Sequence, residues 1–475
     1  MAEIGFRRKF LRGLMCVVTA MAVASCDVSS VYNSPTFPFA KSFTTRPSGA
    51  PVLLENTAWW TGFNDPTLNT LIDQALSQNL DLELARERVI EAQALSETIS
   101  DPLSISGEVN AGRRGGSTIS ASNGGDGSFG FEWLFDPYGG RQSEIRAAEG
   151  RVDVAEANLD AARLLLLSNV ATAYIDLRFY QTSHRYRREE LRSRQQTLDL
   201  LHKLQERGAA SRLDVVRAEA LVSETQSMIP GVQAAIRVQQ NRITVLLGRA
   251  PGWPEAALEG NGRGQPVSKM PADIGVPTDL LRNRPDIRVA ERSYYTAVAD
   301  IGAARAALYP SLSLGGEISL SAFGGQDARN YYFGPTLRLP AIPNGPQKAT
   351  VKARESRAQQ ALTDWQASVL RAIEEVENAL AEYSGSQKSV RASRKTVRLY
   401  RESIGLTREL IGRGGATIRD LLDDEQSVAL ANIRLSQNLR QLGQDFIIVN
   451  VSLGSGHGAG AKVEVAEAEC FTRCI

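Results

Sequence analysis

A hydroxyl three residues ahead of a carboxylate occurs twice in similar surroundings. RGAASRLDVVRAE (207–219) holds Ser211 and Asp214, and RGGATIRDLLDDE (413–425) holds Thr417 and Asp420. The chemistry of this spacing is reciprocal hydrogen bonding, each side chain accepting from the other residue's backbone N–H, and it starts a helix. The glycine just before, Gly208 or Gly414, suits the left-handed turn that ends one. Beyond Thr417 stand Arg419 and a set of acids, Asp420, Asp423, Asp424 and Glu425; by themselves they read as a solvated acidic helix face. No GxSxG, HExxH, Walker A or CxxC pattern occurs, and His184, His202 and His457 are scattered. These residues offer neither a nucleophile beside a base nor a metal-ligand set, so no enzyme, no catalytic residue and no metal site is expected.

The two stretches belong to a longer repetition. At a constant offset of 206, Arg207 matches Arg413, Gly208 matches Gly414, and Leu247-Gly248 matches Leu453-Gly454. Upstream, NLDLELA (79–85) resembles RPDIRVA (284–290), SISGEVN (104–110) resembles SLGGEIS (313–319), and YGGRQSE (138–144) occupies the place of NGPQKAT (344–350). Two tandem copies are therefore expected, 65–250 and 276–454. A Pro- and Gly-rich connector, 251–275, lies between them, and the tail from 455 to 475 is expected to be disordered.

Each copy has the same order: a helix, two strands, a long helix, a break and a second helix. Asp65 caps the first helix of copy one, with Pro66 in its first turn. Long helices are expected over 141–207, 211–248, 347–412 and 417–453, with interruptions of the third at Gly385 and Gly405. At ~1.5 Å per residue the first would run ~100 Å, too long for a globular domain and suited to coiled-coil-like packing.

Strands are expected over 103–112, 128–136, 311–321 and 330–340. Leu103, Ile105 and Val109 alternate with Ser104, Ser106 and Glu108; Leu312, Leu314, Ile318 and Leu320 alternate with Ser311, Ser313, Glu317 and Ser319. Phe129, Phe131, Trp133 and Phe135 share one face of the second strand, and Tyr331, Phe333, Leu337 and Leu339 one face of the fourth. Alternation of this kind fits a half-buried soluble sheet, but strands of ~9–11 residues with aromatics on the apolar face also fit a tilted membrane span. Backbone in lipid must close on itself, and four strands cannot close a barrel, so the chain would have to oligomerise. Two copies would give eight strands with a filled lumen; three would give twelve with a water-filled pore. Glu108, Glu132, Glu317 and Arg338, facing inward, favour the wetter option.

The first 25 residues read as a secretory signal: Arg7, Arg8, Lys9 and Arg12 precede an uncharged run too short to span a membrane. It ends in Val23-Ala24-Ser25-Cys26, which resembles a bacterial lipobox; Cys26 would carry a diacylglycerol and a palmitate, and 26–64 would be the lipidated linker. The 54 basic and 53 acidic residues nearly cancel, which gives no electrostatic case for nucleic acid. Cys470 and Cys474 form a CxxxC in the polar tail.

Taken together, WW–FNDPTLNTLIDQAL–N–DL (59–82), FEWLFDPYGGR (131–141), LLGRAPG (246–252), VPTDLLRNRPDIR (276–288), ADIGAARAALYPSLSL (299–314) and RDLLDDEQ (419–426) resemble the TolC/OprM-like outer membrane factors, in particular the NodT-type lipoproteins of resistance-nodulation-division (RND) efflux systems. The resemblance implies an α+β membrane protein. It would be a homotrimeric channel-tunnel with a twelve-stranded outer-membrane barrel, a long periplasmic helical barrel and a mixed equatorial domain. It also implies three partners besides the trimer: outer-membrane lipid, a periplasmic adaptor and an inner-membrane RND transporter. Its periplasmic gate would fall on Asp423, with Arg419 and Asp420 beside it, and Arg419 stands where the family commonly has an apolar residue. The tips at Gly208, Ser211, Gly414 and Thr417 would dock the adaptor. The chain also departs from the family's usual Gly-Gly-Trp ending, having LGSGHG instead. Asp27, next to Cys26, is a residue that holds some lipoproteins at the inner membrane, whereas the strands argue for the outer one. Two rivals remain at this point: the outer-membrane component of type I protein secretion, and a lipid-anchored periplasmic coiled-coil scaffold with no pore.

Overall fold

The computed structural model describes residues 30–44, 54, 57–116, 119–252, 258, 264–268, 276–324 and 326–458. The signal segment, Cys26, most of the connector, Cys470 and Cys474 lie outside the described residues.

After a single 3₁₀ turn, Trp59–Phe63, come helices α1 (Pro66–Gln78) and α2 (Leu80–Ser100), strands β1 (Leu103–Gly116) and β2 (Ile119–Phe135), and helices α3 (Gly140–Glu206) and α4 (Arg212–Leu246). The second half has a one-turn helix α5 (Leu280–Asn283), then α6 (Pro285–Ala306), β3 (Ser311–Phe323), β4 (Gln326–Arg338), α7 (Gly345–Gly412) and α8 (Ile418–Ser452). Asp65 caps α1 by accepting from the Thr67 N–H, as Asp65-Pro66 requires.

Two expectations need correction. Gly385 and Gly405 do not interrupt the long second-half helix, because a helical glycine costs only about 1 kcal/mol relative to alanine. The strands are longer than the periodicity suggests: β2 begins at Ile119, inside a Ser-, Asn- and Gly-rich stretch of low strand propensity. Its ladder with β1 supplies the order, pairing Arg113 with Asn123 and Asn110 with Asp126.

Two compact units form, and each takes segments from both halves of the sequence. The chain passes from one to the other within α2, α3, α6 and α7. The first unit holds the sheet. There Val298, Ile301 and Ala358 pack together, and the incoming segment is tied to them: the Ser30 hydroxyl donates to the Val298 carbonyl, and Tyr32 packs on Tyr294 and Tyr295. The second unit has an aromatic core of Trp59, Trp60, Phe63 and Phe446. Beside it, buried Tyr174 donates to Asp65 at 2.5 Å and accepts from Arg178. Burial, then the bond to Asp65, pushes the Tyr174 hydroxyl up to about 12, so it stays a donor.

Candidate functional site: the amphipathic sheet and the twin helix turns

The four strands make one antiparallel sheet in the order β1-β2-β3-β4. Directly paired residues lie on the same face, so the register decides what each face carries. One face is made of successive cross-strand rows: Phe135, Leu312 and Leu337; Leu103, Trp133, Leu314 and Pro335; Ile105, Phe131, Gly316 and Phe333; Gly107, Phe129, Ile318 and Tyr331. None of these rows holds a charge. Ile105 (63%), Phe129 (57%), Phe333 (59%) and Tyr331 (81%) are left exposed, a contiguous apolar surface that water does not tolerate. The other face carries Ser104 with Glu132, Ser106 with Glu317, Glu108 with Ser128 and Ser319, and Ser311 with Arg338. The four residues expected to line a lumen therefore share one face. Among the described residues, β1 and β4 each keep one edge without a strand neighbour.

In the second unit the twin turns are alike. Gly208 and Gly414 both take φ of 73°, and each turn closes with a 6→1 bond: Ala209 N–H to Leu204 carbonyl at 2.8 Å, Gly415 N–H to Leu410 carbonyl at 2.9 Å. Reciprocal capping follows in both. The Ser211 hydroxyl accepts from the Asp214 N–H and Asp214 accepts from the Ser211 N–H; Thr417 and Asp420 do the same. The Ser211 hydroxyl and then its backbone hold the Asp214 carboxyl below its ordinary range; the backbone and then the hydroxyl of Thr417 do so for Asp420. Asp420 thus caps the start of α8.

The remaining acids separate as well. Asp424 accepts from Ser403 and Thr407 on α7. Buried Glu425 accepts from Ser193 and Thr197 on α3 and faces Arg408 at 3.6 Å. Asp423 is exposed, and among the described residues it forms no ion pair with Arg419, whose charge acts instead on Asp214 and Asp420. The acids therefore divide: Asp420 and Asp423 are exposed, whereas Asp424 and Glu425 brace α8 against α7 and α3.

The other ends of α4 and α8 show residues that the motifs alone did not explain. Gly248 and Gly454 repeat the left-handed turn, with φ of 71° and 72°. In the first half Asn79 donates to the Leu246 carbonyl at 3.0 Å. At the matching place in the second half Arg284 donates to the Ser452 carbonyl at 2.9 Å and pairs with Asp286 and Glu375. LLRNRPDI is thus the clamp on the end of α8. The tail expected to be disordered from Ser455 stays ordered through Gly458: the Trp59 indole donates to the Ser455 carbonyl at 3.1 Å, and Ser455 and His457 are buried.

A family profile described as "Outer membrane efflux protein" matches residues 71–249 and 276–455, one match on each half. The Nodulation protein T of Rhizobium leguminosarum bv. trifolii is 34% identical over 93% of this chain and 97% of its own. The cation efflux system protein CusC of Escherichia coli is 30% identical over 78% and 82%. The solved structure of the outer-membrane channel OprN superposes with a TM-score of 0.80 at 28% identity, covering 91% of this chain and 100% of that one. The chain belongs to the outer membrane efflux protein family. It is an outer-membrane efflux channel protein of the TolC/OprM type and not an enzyme.

Proposed function

We propose that three copies close a twelve-stranded barrel and form the outer-membrane exit duct of a tripartite pump, passively conducting substrates that an inner-membrane RND transporter and a periplasmic adaptor deliver. The sheet carries this reading: its apolar face is exposed, and among the described residues its two outer edges have no strand partner, which lipid does not permit. Pairing β4 of one protomer with β1 of the next satisfies both edges antiparallel to one another. The polar face then turns inward and gives a lumen lined by Glu108, Glu132, Glu317 and Arg338.

In the same assembly three Asp423 carboxylates form the periplasmic gate, repelling one another and preferring cations. Arg419, one turn earlier, and Asp420 stand beside that ring. The tips at Gly208, Ser211, Gly414 and Thr417 offer the adaptor two similar wedges per protomer, a near-sixfold ring. Cys26 adds the acyl anchor. Cargo follows the pump: among the relatives, CusC is named for cation efflux and OpmQ of Pseudomonas aeruginosa for pyoverdine export.

The test is the protein mass of the detergent-extracted complex by light scattering, followed by conductance in a planar bilayer. Three chains and an open-channel current support the duct. A monomer returns the chain to the scaffold reading, and passage of an unfolded polypeptide with a type I exporter in place of small solutes points to protein secretion.

A further inference from the structure

The two halves differ where each hairpin hands over to its long helix. At the offset of 206, Asp136-Pro137 in the first half corresponds to Ile342-Pro343 in the second. Asp136 caps α3, its carboxylate accepting from the Gly140 N–H at 2.8 Å and the Gln142 N–H at 3.1 Å. Ile342 has no such oxygen and stands 91% exposed. Leu339, just past the end of β4, is 66% exposed, and Ala341 and Pro343 are exposed beside them. The stretch is uncharged from Leu339 through Gln347, whereas Asp101 and Asp136 put a carboxylate just outside β1 and β2.

The apolar face is short by about the height of this segment. On β3 it runs from Leu312 to Leu320, about 26 Å at ~3.3 Å per residue, or roughly 20 Å along the membrane normal at a ~40° tilt. A barrel's apolar band is ~25 Å tall. The band cannot lengthen toward the hairpin turns, where Arg329 joins the row of Leu320 and Asp327 that of Ala322. At the helix-connected end it can: Leu339 keeps the alternation of β4 past Leu337 and adds roughly 5 Å. Tyr138 and Tyr309 follow Phe135 and precede Leu312 at that same end, their rings stacked at 4.7 Å and Tyr309 exposed. Amphipathic rings of this kind sit at headgroup level. We infer that residues 339–343 are an interfacial anchor that docks on the phospholipid of the periplasmic leaflet, with Leu339 and Ile342 at the boundary between headgroups and acyl chains. The placement rests on the barrel reading above, in which the helix-connected end of the sheet faces the periplasm. One segment of one chain makes the contact, and it continues the lipid-facing surface without a break. Uncharged apolar side chains at this depth gain by leaving water for the acyl boundary. The first half, with Asp136 at the matching place, has no such anchor, so each protomer contributes one.

The test is a nitroxide spin label read in vesicles of phosphatidylethanolamine and phosphatidylglycerol. It is placed singly at Leu314→Cys, Leu339→Cys, Ile342→Cys or Lys348→Cys, with Cys470→Ser and Cys474→Ser in every sample. Relaxation by oxygen, which concentrates in lipid, is compared with relaxation by a nickel chelate, which stays in water. The label at 314 marks the interior of the band and the label at 348 the aqueous side. Labels at 339 and 342 should both favour oxygen, and 339 should lie about 10 Å nearer the surface than 314, four residues of tilted strand. A response at 342 equal to that at 348 overturns the anchor. Protection of 342 from both reagents means that protein covers the segment, and overturns the lipid contact as well. The label at 314 separates the two readings: water there contradicts the barrel, whereas lipid at 314 with water at 342 contradicts only the anchor. Should Ile342→Cys fail to form the trimer, Ala341→Cys reads the same contact.

Discussion

Replacing Leu314 with arginine tests whether the exposed apolar face meets lipid. Leu314 sits in the row with Leu103, Trp133 and Pro335 and is 44% exposed. The apolar band on its strand runs from Leu312 to Leu320, so its middle lies near Gly316, two residues from Leu314. At ~3.3 Å per residue and ~40° of tilt, that offset is about 5 Å along the membrane normal. An arginine this close to the midplane should cost roughly 2–4 kcal/mol per copy, or roughly 6–12 kcal/mol in a trimer. The control is Ser106→Arg, on the opposite face in the row of Gly130 and Glu317, where a new cation meets a carboxylate and water. Its cost should stay below about 1 kcal/mol. Folding into vesicles across a urea series, scored by the heat-resistant trimer band, measures both. If Leu314→Arg forms trimer as well as wild type does, or if Ser106→Arg is the more damaging of the two, the face assignment is wrong.

Three further outcomes are expected. Asp423→Ala should raise conductance and lower cation preference in a planar bilayer; no change in either would leave Asp423 an ordinary surface acid. Gly454→Ala should destabilise far more than Gly414→Ala, although both glycines have φ near 72°: a Cβ at 454 falls on the Asn283 carbonyl, while one at 414 meets nothing within 4 Å. The open site should cost about 1–2 kcal/mol from the backbone alone, and thermal melting that ranks the two equally would refute the clamp around α8. The two tip caps should loosen in acid. Asp214 and Asp420 have folded pKa values held below the ordinary carboxylate range, so their contribution is complete above the unfolded value near ~4 and is lost as pH falls through the lower folded value. Protection of the first-turn amides of α4 and α8 against hydrogen exchange, taken relative to the intrinsic rate at each pH, should fall between pH 5 and 3 in wild type and be low throughout in Ser211→Ala and Thr417→Ala; pH-independent protection in wild type would refute the sign.

Elements with strong local signals were legible in the sequence. Asp65-Pro66 and the Ser211 and Thr417 boxes specify helix starts through bonds no more than three residues apart, and alternation specifies the faces of the strands. What escaped was set by partners distant in the chain. The acids after Arg419 look alike along the sequence, yet Asp424 is claimed by α7 and Glu425 by α3, contacts no local pattern encodes. The extension of β2 to Ile119 depends on its ladder with β1 and defies its own composition. Arg284 sat inside a motif that marks the family, but its work as a cap depends on Ser452, 168 residues away. A helix-start rule cannot reveal that Asn79 and Arg284 do matching jobs with different chemistry.

The two open edges of the sheet also carry a genetic consequence. In a closed ring each chain completes its neighbour on both sides, so one copy unable to pair spoils the assembly it enters. A cell expressing intact and edge-defective chains in equal amounts, mixing at random, would build a fully intact trimer about one time in eight. Lesions on the outer edge of β1 or β4 should therefore behave as dominant alleles, whereas a chain that never reaches the membrane should be recessive.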